Sequence, residues 1–141
     1  MINMAQPTTE SRVDVLKASH AAFNDGDIET VFGNFDEDIE WTSPLGTVSG
    51  PAAVKEEILD TLADLLDEHD ATYHLEMDTY FSEGDDVAAF GHGILSKEGE
   101  TVKVPFAQHW RVVDGKLTAG RTFADTATFF GFLGVDTPSD R

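Results

Sequence analysis

The sequence contains no cysteine, which excludes disulfides, thiolate nucleophiles and cysteine-ligated zinc from its chemistry. It also lacks any apolar run near the roughly 20 residues that cross a bilayer. The first ten residues, MINMAQPTTE, do not follow the basic-then-apolar pattern of a secretion signal. We therefore expect a cytoplasmic protein that makes no contact with membranes.

Basic residues are scarce: 9 Lys and Arg stand against 27 Asp and Glu, for a net charge of −18. Nucleic acid phosphates and anionic membranes are bound by Lys and Arg, so this charge disfavours both as partners. The acidic residues are scattered along the chain rather than gathered in a tail. Their even spread is typical of a solvated surface, and adaptation to high salt is our preferred explanation for the excess.

A length of 141 residues suits one domain with a substantial core. Apolar spacing predicts one helix from Ser11 to the Asn24-Asp25-Gly26 stop and a short second helix with Asp27 as its N-cap. Gly50-Pro51 then opens a third, strongly amphipathic helix. We expect residues 1–10 to be disordered, residues 11–135 to form the domain and residues 136–141 to form a tail.

The second half of the chain alternates with period two, which is typical of strands. Residues 72–81 and 87–95 predict two strands, and the next two are joined by a type I′ turn at Asp114-Gly115. The alternation in 72–81 places Tyr73 and Phe81 on one face and Tyr80 on the other. Helices followed by such an antiparallel meander predict an α+β fold.

Four stretches carry a resemblance to a known family: FNDGDIETVFGNFDEDIEW (23–41), TSPLGTVSGPAAV (42–54), HWRVVDGKL (109–117) and RTFADTATFFGFLGV (121–135). Together they resemble the nuclear-transport-factor-2-like superfamily, and within it the SnoaL-like polyketide cyclases and ketosteroid-isomerase-related proteins. The resemblance implies a cone-shaped, cystatin-like fold in which three N-terminal helices pack on a curved meander sheet, followed by a short C-terminal helix. It further implies an apolar pocket, chemistry without a cofactor, and a homodimer formed through the sheet.

The resemblance also implies that Asp125 lies in the pocket wall and acts as a general base or acid. A carboxyl group among aromatic rings would be desolvated, which raises its pKa toward neutrality. Asp125 also directly precedes Thr126-Ala127-Thr128, so it is equally suited to cap a terminal helix. The two roles are compatible.

Two neighbouring residues compete for a role beside Asp125. Strand parity groups Phe106, Gln108 and Trp110 on one face and His109 on the other. We expect the apolar face to line the pocket, so that Gln108 polarises a substrate oxygen and His109 lies on the outer face. A single bulge would exchange them, so both are candidate catalytic residues.

The predicted substrate-binding residues are mainly aromatic. The resemblance brings the segment around residue 41 to the pocket mouth or wall, and aromatic rings supply large apolar contact area. The predicted set is Trp41, Ser43, Phe106, Trp110 and Phe123.

The chain departs from two known mechanisms of this superfamily. Epoxide hydrolases of this fold use an Asp-Arg-Asp set, and Gly91 and Gly93 occupy two of its positions here. Ketosteroid isomerase combines an Asp base with a Tyr and a protonated Asp, and we identify no such trio. The five histidines lack the spacing of a metal motif, so we predict no metal site.

Two hypotheses follow. The leading one is a cofactor-independent enzyme that acts on a small apolar or carbonyl-bearing molecule, either by proton abstraction next to a carbonyl or by acid-assisted ring chemistry. The alternative is a non-catalytic small-molecule binding protein, since one fold hosts both kinds.

Overall fold

The structure is a computed structural model that describes residues 9–135. Its helices are α1 (Thr9–Asp25), α2 (Ile28–Gly33), α3 (Pro51–Val54), which continues through a π-helical segment (Lys55–Leu59) into α4 (Asp60–Glu68), and α5 (Thr126–Leu133). Its strands are β1 (Phe35–Ser43), β2 (Gly46–Ser49), β3 (Ala71–Glu83), β4 (Asp86–Lys97), β5 (Glu100–Val113) and β6 (Lys116–Ala124). Within residues 9–135, no helix is long and apolar enough to cross a membrane.

The six strands form one curved, open sheet in the order β2-β1-β6-β5-β4-β3. Strands β3 to β6 pair as an antiparallel meander, whereas β1 pairs parallel to β6. The predicted α+β architecture is confirmed, with the helices before the meander and a short helix after it. We did not predict β2, which pairs antiparallel with β1 across a short turn. The parallel pair was also not predicted, because a parallel pairing joins distant segments and leaves no turn signal in the sequence.

The structure confirms the predicted helix cap at Asp27 and the predicted turn at Asp114-Gly115. Asp27 caps α2 by accepting a hydrogen bond from the backbone nitrogen of Thr30 at 3.2 Å. Asp114 and Gly115 both have positive φ, 51° and 76°, as a type I′ turn requires. Helix α1 begins at Thr9, two residues before its predicted start at Ser11. Residues 1–8 and the predicted tail 136–141 lie outside the described residues.

A β-bulge in β3 decides which of its side chains face the helices. The register with β4 shifts between Met77 and Thr79, which makes Asp78 the extra residue. One extra residue reverses the facing of every side chain after it. Tyr80 therefore points inward and Phe81 is exposed, so the alternation predicted for 72–81 is wrong beyond the bulge.

The core consists of two apolar clusters on the inner face of the sheet. One joins α1, β1 and β5 through residues such as Leu16, Ile39 and Trp110. The other joins β4 to the C-terminal helix through Leu95 and Phe130. Side chains of both clusters border the same cavity, so the core and the candidate site are built from the same residues.

Replacing Gly120 by Ala should destabilise the protein. Gly120 lies opposite Trp110 in the β5–β6 pair, and an added Cβ would overlap the Trp110 ring, which is buried. Overpacking of this kind lowers the free energy of unfolding by about 1–3 kcal/mol. Chemical denaturation measures the change.

Gly131→Ala is the matched control for this prediction. Gly131 lies in α5, and an added Cβ would meet no atom within 4 Å. Because Ala favours a helix over Gly, this variant should gain up to about 1 kcal/mol. Equal stability of Gly120→Ala and the wild type would contradict the tight contact with Trp110.

Candidate functional site

A cavity of about 180 Å³ lies between the helices and the inner face of the sheet. One water molecule needs roughly 10–15 Å³ on such a measure, so the cavity has room for a small organic molecule. Among the described residues, no Asp, Glu, Lys or Arg lines the cavity, although the chain has 27 acidic residues. Its lining is therefore apolar apart from a few neutral polar side chains.

Four of the five predicted substrate-binding residues border this cavity. Trp41 and Trp110 meet edge to face with ring centroids 5.1 Å apart, and Phe106 is buried and lines the same cavity. Ser43 is the last residue of β1, where its Oγ accepts a hydrogen bond from the backbone nitrogen of Leu45 at 3.0 Å. These residues give the cavity aromatic walls, and Ser43 adds a hydroxyl to its border.

The polar end of the cavity is centred on Gln108, which is only 8% exposed. Its Oε1 accepts hydrogen bonds from His20 Nε2 at 2.7 Å and from Trp110 Nε1 at 3.1 Å. An indole nitrogen can only donate, so Trp110 fixes which end of the amide is oxygen. The expectation that Gln108 faces the pocket is confirmed.

The same bonds assign the protonation of His20. Because Gln108 Oε1 only accepts, Nε2 of His20 carries the hydrogen, and Nδ1 accepts from the Tyr80 hydroxyl at 2.8 Å. Burial disfavours the imidazolium and lowers the pKa of His20, while the bond to Gln108 opposes this shift. Desolvation also raises the pKa of Tyr80 to about 12. With both ring nitrogens engaged, His20 positions Gln108.

Thr122 completes this polar end. Its Oγ1 accepts from Gln108 Nε2 at 3.0 Å and from Trp41 Nε1 at 2.9 Å. A hydroxyl has two acceptor lone pairs and one hydrogen to donate, so both lone pairs are used and the O–H hydrogen remains. Gln108 Nε2 also keeps a second hydrogen. This end of the cavity therefore offers hydrogen-bond donors, which suit a carbonyl oxygen.

Asp125 lies outside the cavity lining, at the exposed N-cap position of α5. Its carboxylate accepts from the Thr128 hydroxyl at 2.7 Å and from the Thr128 backbone nitrogen at 3.1 Å. These bonds hold the pKa of Asp125 below its usual value. The predicted capping role is confirmed, and the predicted desolvated carboxyl is wrong because the cap turns the carboxylate toward water. Its neighbours Ala124 and Thr126 line the cavity, so Asp125 stands at the rim.

Two further predicted residues lie on the outer face of the sheet. His109 contacts Asp86 Oδ1 at 2.9 Å through Nε2 and accepts from Arg121 at 3.2 Å through Nδ1. Its outward facing is as expected, which separates it from the cavity and contradicts its candidacy as a catalytic residue there. Phe123 has the same outward parity and is 58% exposed, so its predicted place in the substrate-binding set is wrong.

Sequence reasoning did not identify His20, Tyr80 and Thr122 as parts of the site. His20 follows Leu16 by four residues, and this spacing alone places it on the buried stripe of α1. Tyr80 was missed because the bulge at Asp78 has no sequence signal that we could identify. Among the side chains described, those of residues 12–135, no cluster of three or more His, Asp or Glu residues could hold a metal ion.

The sequence matches the profile of a known protein family. The profile of the SnoaL-like domain matches residues 16–120, which is most of the chain. The chain belongs to the SnoaL-like family. No curated protein sequence matches this SnoaL-like protein.

Solved structures agree with this assignment. TerC, crystallised with polyporic acid, is 28% identical with a TM-score of 0.77, over 87% of this chain and 98% of TerC. IdmH, a putative polyketide cyclase from Streptomyces antibioticus, is 21% identical with a TM-score of 0.73, over 88% and 99%. A nuclear-transport-factor-2-like protein of unknown function from Burkholderia pseudomallei is 20% identical with a TM-score of 0.72, over 86% and 96%. The latter two likenesses support the fold alone.

Acid should destabilise this SnoaL-like protein through His20. The unfolded state takes up a proton near pH 6.5, whereas the folded state resists protonation until a lower pH because the pKa of His20 is lowered. As pH falls below about 6.5, the free energy of unfolding should therefore drop, by up to about 1.4 kcal/mol per pH unit for this one proton. Denaturant titrations at several pH values measure the slope.

Comparison with variants isolates this effect from the many carboxylates. His20→Gln should remove the slope between pH 6.5 and 5, whereas His74→Gln, at an exposed position on β3, should keep it. In ¹⁵N spectra of the wild type, His20 should carry its hydrogen on Nε2. An Nδ1–H form would contradict the hydrogen-bond assignment.

Proposed function

We propose that this protein binds a small, uncharged and mainly apolar molecule through a carbonyl oxygen, and that it promotes cofactor-independent, cyclase-like chemistry on that molecule. The observation that carries the proposal is an apolar cavity whose polar end offers free donors from Gln108 and Thr122. The family assignment and the small-molecule complex of TerC support a ligand of this general kind. With no Lys or Arg among the described lining residues, the cavity favours a neutral ligand over an anion.

The chemistry that fits these donors is proton loss from the carbon next to a carbonyl. Negative charge then develops on the oxygen, and preorganised donors in a dry site stabilise it. The carbanion can attack a second carbonyl and close a ring. In this proposal Gln108 polarises the oxygen, Trp41, Phe106 and Trp110 hold the carbon skeleton, and Asp125 takes the proton from the rim.

A second candidate is a non-catalytic binding protein with the same cavity. Two observations favour it: Asp125 has a lowered pKa that makes it a weak base, and both nitrogens of His20 are engaged within the protein. General bases work best with a pKa near the working pH. The two candidates share the ligand and differ in whether a proton moves.

Hydrogen–deuterium exchange in a model ketone distinguishes the candidates. In D₂O, the protons at C2 of 1-tetralone should exchange faster with the protein than in buffer alone, as followed by ¹H NMR. Asp125→Asn should slow this exchange by roughly tenfold or more and leave the affinity for 1-tetralone unchanged, because the residue lies outside the cavity.

Asp27→Asn is the matched control. Asp27 caps α2 with the same pair of bonds, to the backbone nitrogen and hydroxyl of Thr30, and is not among the cavity residues, so its loss should not affect exchange. Binding without accelerated exchange would favour the non-catalytic protein. Failure of the wild type to bind 1-tetralone and related bicyclic ketones would contradict both candidates.

A homodimer through the outer face of the sheet also belongs to this proposal. Phe81, Phe90 and Phe123 are 62%, 46% and 58% exposed there, and Ala107 lies between Phe90 and Phe123 in the strand register. Such an apolar patch is typical of an interaction surface. Basic Arg121 and acidic Asp86 lie on this same face, both in contact with His109, so the face can pair with a second copy of itself.

Phe123→Glu should shift this dimer toward monomer, because it places a desolvated charge in the apolar patch. Sedimentation velocity over a range of protein concentrations measures the change. Ala21→Glu, at an exposed position on α1, adds the same charge elsewhere and should leave the dimer intact. A wild-type protein that stays monomeric at every concentration would refute the proposed interface.

A further inference from the structure

Tyr73 brings a phenol to the part of the cavity away from Gln108. It lies on β3 and lines the cavity, with its ring edge to face against Phe129 at a centroid distance of 5.4 Å. Gly93 on the neighbouring strand makes this placement possible, because a Cβ there would overlap the Tyr73 hydroxyl and ring. The Tyr73 hydroxyl thus occupies the space that a side chain at position 93 would fill.

The Tyr73 hydroxyl has no hydrogen-bond partner among residues 12–135, whose side chains the structure describes. Of the fully buried polar side-chain atoms in this range, only Ser82 Oγ lacks a partner, so the Tyr73 oxygen must retain accessible surface. Because Tyr73 lines the cavity, that surface is available to a ligand. Burial of the ring raises the pKa of Tyr73 to about 12, so the hydroxyl keeps its hydrogen and can both donate and accept.

The two polar ends of the cavity are well separated along the sheet. Gln108 pairs with Ala89 of β4, whereas the Tyr73 hydroxyl lies over Gly93 of the same strand. Four residues of an extended strand span about 13 Å. Phe106 lines the cavity and pairs with Gly91 of β4, between these two positions, so a ligand that reaches both ends must be elongated and apolar in its middle.

We infer that the Tyr73 hydroxyl is a second ligand-binding group, and that the ligand is an elongated neutral molecule with an oxygen at each end. A carbonyl oxygen meets Gln108 and Thr122, and a hydroxyl or carbonyl oxygen meets Tyr73. This inference rests on the proposed function, since it extends the same cavity from one polar contact to two. The inference narrows the ligand class from apolar ketones in general to elongated ketones that carry a second oxygen at the far end.

Tyr73→Phe tests the inference because it deletes one hydroxyl and no bond within the described protein. Calorimetry compares 1-tetralone with 6-hydroxy-1-tetralone, which adds an oxygen at the far end of the same skeleton. Tyr73→Phe should weaken binding of the hydroxylated ketone by about fivefold, the value of one hydrogen bond, and leave 1-tetralone unchanged. An equal effect on both ligands, or none on either, would overturn the inference.

Tyr80→Phe is the matched control, since the Tyr80 hydroxyl bonds to His20. It should affect both ligands alike and lower the melting temperature, whereas Tyr73→Phe should not lower it. A loss of stability in Tyr73→Phe would show that its hydroxyl is bonded within the protein and would overturn the inference without any ligand. Failure of both ketones to bind the wild type would instead refute the proposed function and this inference with it.

Discussion

The orientation of one buried amide is the constraint on which the site depends. Gln108 is held by His20 from α1, by Trp110 from its own strand and by Thr122 from β6. Trp41 from β1 and Tyr80 from β3 join the same network at its two ends. A buried polar group left without a partner costs about 1–3 kcal/mol, so the helix and the four strands stabilise one another through a network in which each member needs the next.

This network explains how an acidic protein maintains a neutral cavity. Charged groups are costly to bury without a partner. Among the described residues no acidic side chain lines the cavity, and amide, hydroxyl and neutral imidazole groups supply its polarity. The two indole nitrogens can only donate, so they fix the direction of the bonds around Gln108 and Thr122. The hydroxyl hydrogen of Thr122 and the second amide hydrogen of Gln108 are not used in these bonds. In the proposed function, recognition by the cavity depends on hydrogen-bond polarity and shape more than on charge.

The shape of the cavity depends on places where the strands lack a side chain or carry an extra residue. Gly120 leaves room for the Trp110 ring, and Gly93 leaves room for Tyr73. The bulge at Asp78 turns Tyr80 inward toward His20. Small changes in strand geometry thus change the chemistry that one fold presents.

The sequence by itself determined the fold class, most element positions and the inward facing of Gln108, because period-two alternation, Gly and Pro positions and helix caps act over a few residues. The capping role of Asp125 is of this kind, and so is the turn at Asp114-Gly115. Burial of Asp125 could not be decided in this way, since it depends on where α5 lies against the sheet. Likewise, only the tertiary structure joined His20 to Gln108 across 88 residues of sequence, paired β1 with β6 and placed the bulge in β3. Such contacts are decided by packing between distant segments, and alternation within one segment carries no information about them.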